Sequence, residues 1–85
     1  MVKVLIVDDS VLMRTVIRDM LQKDPSIEIV GTAANGIEAL EKIDTLKPEL
    51  ITLDIEMPKM NGLEVLRELK TVSWHPKTLM FSSLT

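Results

Sequence analysis

Two short apolar runs that stop on carboxylates constrain this chain more than anything else in it. Residues 4–7 (Val-Leu-Ile-Val) end at Asp8-Asp9, and residues 50–53 (Leu-Ile-Thr-Leu) end at Asp54. Short, almost wholly apolar runs bounded by turn signals read as strands buried on both faces, the pattern of a parallel sheet. Parallel neighbours need a long crossover, normally a helix. The intervening segments carry that period. After Ser10, a good N-cap, Met13, Val16, Ile17, Met20 and Leu21 recur at helical spacing until Asp24-Pro25. The methionines among them read as core fillers.

Residues 27–33 alternate at their start, as a strand nearer a sheet edge does. Asn35-Gly36 reads as turn chemistry that also opens a second helix, with Ile37, Leu40, Ile43 and Leu46 inward and Lys47-Pro48 as its stop. Beyond Pro58 and the turn Asn61-Gly62, Leu63, Leu66 and Leu69, flanked by Val65 and Val72, mark a third helix of roughly three turns. Glu64, Arg67, Glu68 and Lys70 form its solvated side. Trp74 should cover the edge of the core, and His75-Pro76 belongs to a surface connection. Residues 78–81 are the last strand. Strand and helix thus alternate three times before a fourth strand, which predicts a doubly wound parallel α/β sheet with right-handed crossovers and helices on both faces.

In such a sheet, ligands bind beyond the carboxyl ends of the strands. Asp8, Asp9, Asp54 and Ser82 each follow directly on a strand, so all four fall on one rim. Adjacent strands lie about 4.8 Å apart. If the first and third strands are neighbours, the three carboxylates can reach a common point. Carboxylates that close repel one another unless protons or a cation neutralise them. An all-oxygen site with few protein ligands suits Mg²⁺, commonly bound together with a phosphate. A carboxylate beside that ion is a plausible nucleophile toward phosphorus. Taken singly, each residue has a plainer use: Asp8, Asp9 or Ser10 as a helix cap, Asp54 as a turn residue, Ser82 and Ser83 as loop. The joint placement is what favours chemistry.

The remaining composition narrows the options. With 85 residues and 46% hydrophobic content, the chain supports one domain with a modest core. A formal net charge of −3 provides no basic footprint for nucleic acid. There is no cysteine, so no disulfide, thiolate zinc site or thiol nucleophile. No apolar run is long enough for membrane insertion, and the first run breaks too early for a signal peptide. These features suit a cytoplasmic protein.

The pattern resembles the receiver domain of two-component response regulators. It has an acidic pair after the first strand, a lone Asp after the third and a small hydroxyl residue after the fourth. Residues 54–62 (Asp-Ile-Glu-Met-Pro-Lys-Met-Asn-Gly) resemble the family's phosphorylation loop. Together with residues 81–85 (Phe-Ser-Ser-Leu-Thr), they are similar to the receiver half of chemotaxis protein-glutamate methylesterases. The resemblance implies a flavodoxin-like (CheY-like) sheet of order 2-1-3-4 and phosphoryl transfer from a histidine kinase of the CheA kind to Asp54. It implies Mg²⁺ held by Asp9, Asp54 and the Glu56 backbone carbonyl with help from Asp8. Ser82 becomes the switch hydroxyl, and the Glu56 side chain and Leu84 tune loss of the phosphoryl group.

A full receiver has five strands and five helices, and the 85 residues reach just past the fourth strand as a partial receiver domain. The family's lysine after the fifth strand and the methylesterase catalytic domain have no counterpart here. The expectation is therefore a regulatory receiver without esterase activity, in which Mg²⁺ binding survives better than phosphorylation. Residues 78–81 would lie at an open sheet edge and invite self-association. Two other readings stay open. One is a Mg²⁺-dependent phosphohydrolase with an aspartyl nucleophile, disfavoured because the paired acids are adjacent and not spaced Asp-x-Asp. The other is a half-fold that assembles without chemistry.

Overall fold

A computed structural model describes residues 1–81; Ser82, Ser83 and Leu84 therefore lie outside the described residues. The elements follow in the order β1 (Val2–Val7), α1 (Val11–Leu21), β2 (Ile27–Ala33), α2 (Gly36–Leu46), β3 (Leu50–Asp54), α3 (Gly62–Leu69) and β4 (Lys77–Phe81). The four strands form one parallel sheet in the order β2-β1-β3-β4. The expected architecture and strand order are thus the observed ones. β1 and β3 are neighbours, with Val7 opposite Leu53, and this pairing brings their acidic ends side by side.

The central strands are apolar because both of their faces are covered. Leu5, Val7, Ile51 and Leu53 face α2 and α3, where they pack with Ala33, Ala39, Ile43, Val65 and Leu69. Val4 and Ile6 face α1 and pack against Ile17. An irregularity in the β1–β2 register falls between Val4 and Leu5, where the partner steps from Ile29 to Gly31. Val30 is the extra residue, and it inverts the alternation of β2. Ile27 and Ile29 pack on the α1 side, whereas Ala33 joins the α2–α3 core.

Several inward assignments are corrected. Met13 and Met20, read as core fillers, are exposed, at 43% and 57%; Ile17 is the buried residue of α1. Ile37 points out of α2, whose buried positions are Gly36, Ala39 and Ile43. In α3 the buried line runs through Gly62, Val65 and Leu69, while Leu63 is exposed. That helix has 8 residues, a little over two turns and not three. Trp74 is half-buried against the α2–α3 core and donates its indole N–H to the Pro48 carbonyl at 2.6 Å. His75 is exposed in its connection. Among the described residues, no helix is long and apolar enough to cross a membrane.

Candidate functional site

The rim at the carboxyl end of β1 and β3 is built from two short turns of backbone, residues 8–10 and 54–56. Asp8 follows the last residue of β1, and its own N–H donates to the Ala33 carbonyl at 3.0 Å, tying the strand end to β2. The Asp8 carboxylate accepts the Ser10 N–H at 2.9 Å, and the Ser10 hydroxyl in turn caps α1 by accepting the Met13 N–H. The cap is therefore Ser10, while Asp8 turns the chain into it. Asp54, the final residue of β3, repeats the device, its carboxylate accepting the Glu56 N–H at 3.1 Å. Each acid spends one oxygen on an amide two residues ahead, the local turn that Asp favours.

Asp8, Asp9 and Asp54 converge as the strand order requires. Each offers an oxygen, and the three oxygens lie within 4.8 Å of one another. Asp8 and Asp54 are buried, at 6% and 4% exposure, and Asp9 is exposed, so the cluster opens to solvent on its Asp9 side. Asp9 there lines a shallow pocket with Ile55, Glu56, Met57 and Asn61. Burial raises the pKa of Asp54 above the ordinary carboxylate range; the charges of Asp8 and Asp9 push the same way, against the Glu56 N–H bond. A group so placed gains from any cation that arrives. Bonds of about 2.0–2.1 Å and a preference for carboxylate oxygen make Mg²⁺ a fit, with rotation of the exposed Asp9 closing the set. Glu56 itself is exposed on the pocket wall. Ser82 lies outside the described residues.

The loop from Asp54 to Gly62 is closed on itself and seated on two neighbours. The Gly62 N–H donates to the Ile55 carbonyl at 2.9 Å, and the Ile55 N–H donates to the Phe81 carbonyl of β4. Gly62 allows this return, since a Cβ there would stand 2.5 Å from the Asp54 carbonyl oxygen. Asn61 caps α3 in a reciprocal capping box with Glu64. Asn61-Gly62 therefore does more than turn the chain, and the same holds for Asn35, which caps α2 by accepting the Glu38 N–H. Lys59 holds a left-handed φ of 67°, which costs a non-glycine residue on the order of 1 kcal/mol.

One neighbour of the site escaped the sequence reading. Arg14 donates from Nη1 to the Asp8 carbonyl oxygen at 2.6 Å, so α1 grips the end of β1 from its second turn. The available signal was helical geometry: side chains lean toward the helix N-terminus, so a long basic residue one turn past the cap reaches back to the strand end.

The response regulator receiver domain family matches residues 4–85. Among curated proteins, the chain is 58% identical over 85 residues to protein-glutamate methylesterase/protein-glutamine glutaminase 1 of Methanospirillum hungatei, covering all of this chain and 25% of that protein. It is 51% identical to the corresponding protein of Bacillus subtilis, again over the whole chain and 24% of the relative. The chain thus spans about a quarter of the length of these relatives. The response regulator domain of Thermotoga maritima CheB superposes with a TM-score of 0.89 at 46% identity, over 99% of this chain and 62% of that one. The CheX-CheY-BeF3-Mg complex from Borrelia burgdorferi gives a TM-score of 0.90 at 34% identity, over 98% of this chain and 63% of that one. The matched region is the receiver, and no methylesterase region falls within these 85 residues. The chain belongs to the response regulator receiver domains and is similar to the receiver of CheB-type methylesterases.

Proposed function

We propose that residues 1–85 are a phosphoacceptor receiver that takes a phosphoryl group from a CheA-like histidine kinase onto Asp54 and thereby regulates a protein-glutamate methylesterase output in chemotaxis, in the cytoplasm. The observation that carries the reading is the meeting of Asp8, Asp9 and Asp54 oxygens within 4.8 Å at the ends of two adjacent strands. Asp9 and Asp54 would hold Mg²⁺ with the Glu56 carbonyl, and Asp8 would assist. Once bound, the ion supplies positive charge against which the transferred phosphoryl oxygens are stabilised. A relative in fold is a complex containing BeF3 and Mg, which supports the same chemistry here.

The chain's own part is positioning. A carboxylate oxygen of Asp54 attacks the phosphorus of a phosphohistidine. The new P–O bond forms as the P–N bond breaks, the imidazole nitrogen keeps the electron pair and takes up a proton from water. The Glu56 N–H holds the other side of the Asp54 carboxylate in register during attack. Ser82 is the hydroxyl that the reading assigns to a phosphoryl oxygen. Labelling with a small phosphodonor tests the proposal: the wild-type protein takes up label with Mg²⁺, and Asp54→Ala takes up none. Label retained in Asp54→Ala moves the acceptor elsewhere, and turnover of small phosphoesters would revive a phosphohydrolase.

For the 85-residue chain taken by itself, we also propose pairing through β4. It ends the sheet among the described residues, and its Leu79 and Phe81 are 51% and 39% exposed. Sedimentation of that chain should give a dimer or larger species; a stable folded monomer at low concentration removes this part of the proposal.

A further inference from the structure

Gly36, the first residue of α2, is buried against the phosphoacceptor loop although the two are far apart in sequence. Its N–H donates to the Met60 carbonyl at 3.0 Å. Beyond Ile55, this is the one backbone hydrogen bond among the described residues that ties the loop to an element other than its own strand and helix. The approach leaves no room for a side chain. A Cβ on Gly36 would overlap the Met60 carbonyl oxygen and stand 2.6 Å from its Cβ and 2.7 Å from its Cγ. The obstructing atoms are mostly backbone or next to it, so a swing of a flexible side chain does not relieve the clash. Next to this contact sits Lys59 in its left-handed conformation. The loop is bent there, and the bend is held by what it leans on.

We propose that Gly36 is a positioning residue for the Asp54–Glu56 site: by seating Met60 on the first peptide of α2, it fixes the loop whose other end carries the Asp54 carboxylate and the Glu56 carbonyl. The inference rests on the reading of the acidic cluster as a Mg²⁺ site. It makes α2 and the phosphoacceptor loop move together, because neither can shift at Gly36 without the other. Gly31 in β2 is the natural control. A Cβ there meets only the side-chain tips of Leu46 at 3.1 Å and Leu5 at 3.5 Å, which can move, and it touches nothing in the loop.

The test uses the protein at its full encoded length, with Mg²⁺ affinity from calorimetry, thermal unfolding as the check on folding and amide resonances of the unmodified protein. The unmodified protein should bind Mg²⁺, and the Gly36 amide resonance should shift on titration while that of Gly31 stays in place. Gly36→Ala should fold and lose roughly 10- to 100-fold in Mg²⁺ affinity, the range for losing the support of a metal ligand. Gly31→Ala should bind Mg²⁺ like wild type whatever it does to melting. A folded Gly36→Ala with wild-type affinity overturns the inference, as does an equal loss in both variants, which would make the effect structural. If Gly36→Ala does not fold, the amide decides: a shift at Gly36 upholds the inference and a silent Gly36 rejects it. An unmodified protein that binds no Mg²⁺ instead sinks the metal reading itself, and that result is seen before any substitution is made.

Discussion

The two ends of the parallel sheet are made of opposite materials. At the carboxyl end, β1 and β3 deliver three carboxylates into a partly buried cluster, where burial and mutual repulsion raise the pKa of Asp54. At the amino end of β3, the Trp74 indole packs on the core and hydrogen-bonds Pro48, with the Lys47 ammonium 6.0 Å above the ring. The first end stores unfavourable electrostatics that an incoming cation relieves; the second closes the core. Substitutions at the two ends should therefore separate chemistry from stability.

The largest effect belongs to the acidic end. Asp9→Ala should reduce Mg²⁺ affinity by more than the 10–100-fold typical of a lost supporting partner, because Asp9 is read as a direct ligand. Its melting temperature without metal should not fall, since an exposed like charge has been removed from a repulsive cluster. Unchanged affinity would erase the contrast between the ends. Trp74→Ala should do the reverse. Loss of a half-buried ring should cost about 2–4 kcal/mol, below the 3–5 kcal/mol of a fully buried Trp, with Mg²⁺ affinity unchanged. Denaturant unfolding and a metal titration on the same variant read both halves of that expectation. Roughly 20 Å separate Pro48 from Asp54, six residues along the extended chain at about 3.3 Å each, so coupling between the two readouts would contradict the division.

A smaller effect concerns pH. Asp54 holds its proton more tightly folded than unfolded. Its contribution to stability is fully present below the unfolded carboxylate pKa and is lost as pH rises through the folded value. Without metal, Asp54→Asn should therefore melt at or above wild type at neutral pH, and the gap should close in acid. Added Mg²⁺ should reverse the order at neutral pH by stabilising wild type alone. A metal-free Asp54→Asn that melts clearly below wild type would mean the carboxylate is stabilising, contrary to the electrostatics described.

What the sequence made legible follows the same division. β2 was bounded correctly at residues 27–33 because turn residues flank its alternating start, and the end of β1 was legible because its continuous apolar run stops on Asp8. Asp8, Asp9 and Asp54 were legible as one cluster because strand ends in a parallel sheet share a rim once β1 and β3 are neighbours. Helix facing was less so. A 3.6-residue period survives rotation by one position, so Ile37 and Leu63 could be set inward while Ala39 and Val65 hold the buried line. Alanine carries little hydrophobic signal of its own. Asn35 and Asn61 read as turns because an Asn that turns a chain and one that caps a helix use the same side-chain bond. Gly36 and Arg14 were out of reach for another reason: their roles exist only through contacts with Met60 and Asp8, which the fold alone supplies.

The central claim is that carboxylates from separate strands share one divalent ion. A crystal structure with Mg²⁺ and beryllofluoride tests it most directly. The account predicts one ion bonded at about 2.1 Å to oxygens of both Asp9 and Asp54, with the fluoride group on Asp54. An ion bound elsewhere, or Asp9 and Asp54 left without a common ligand at saturating Mg²⁺, would contradict it.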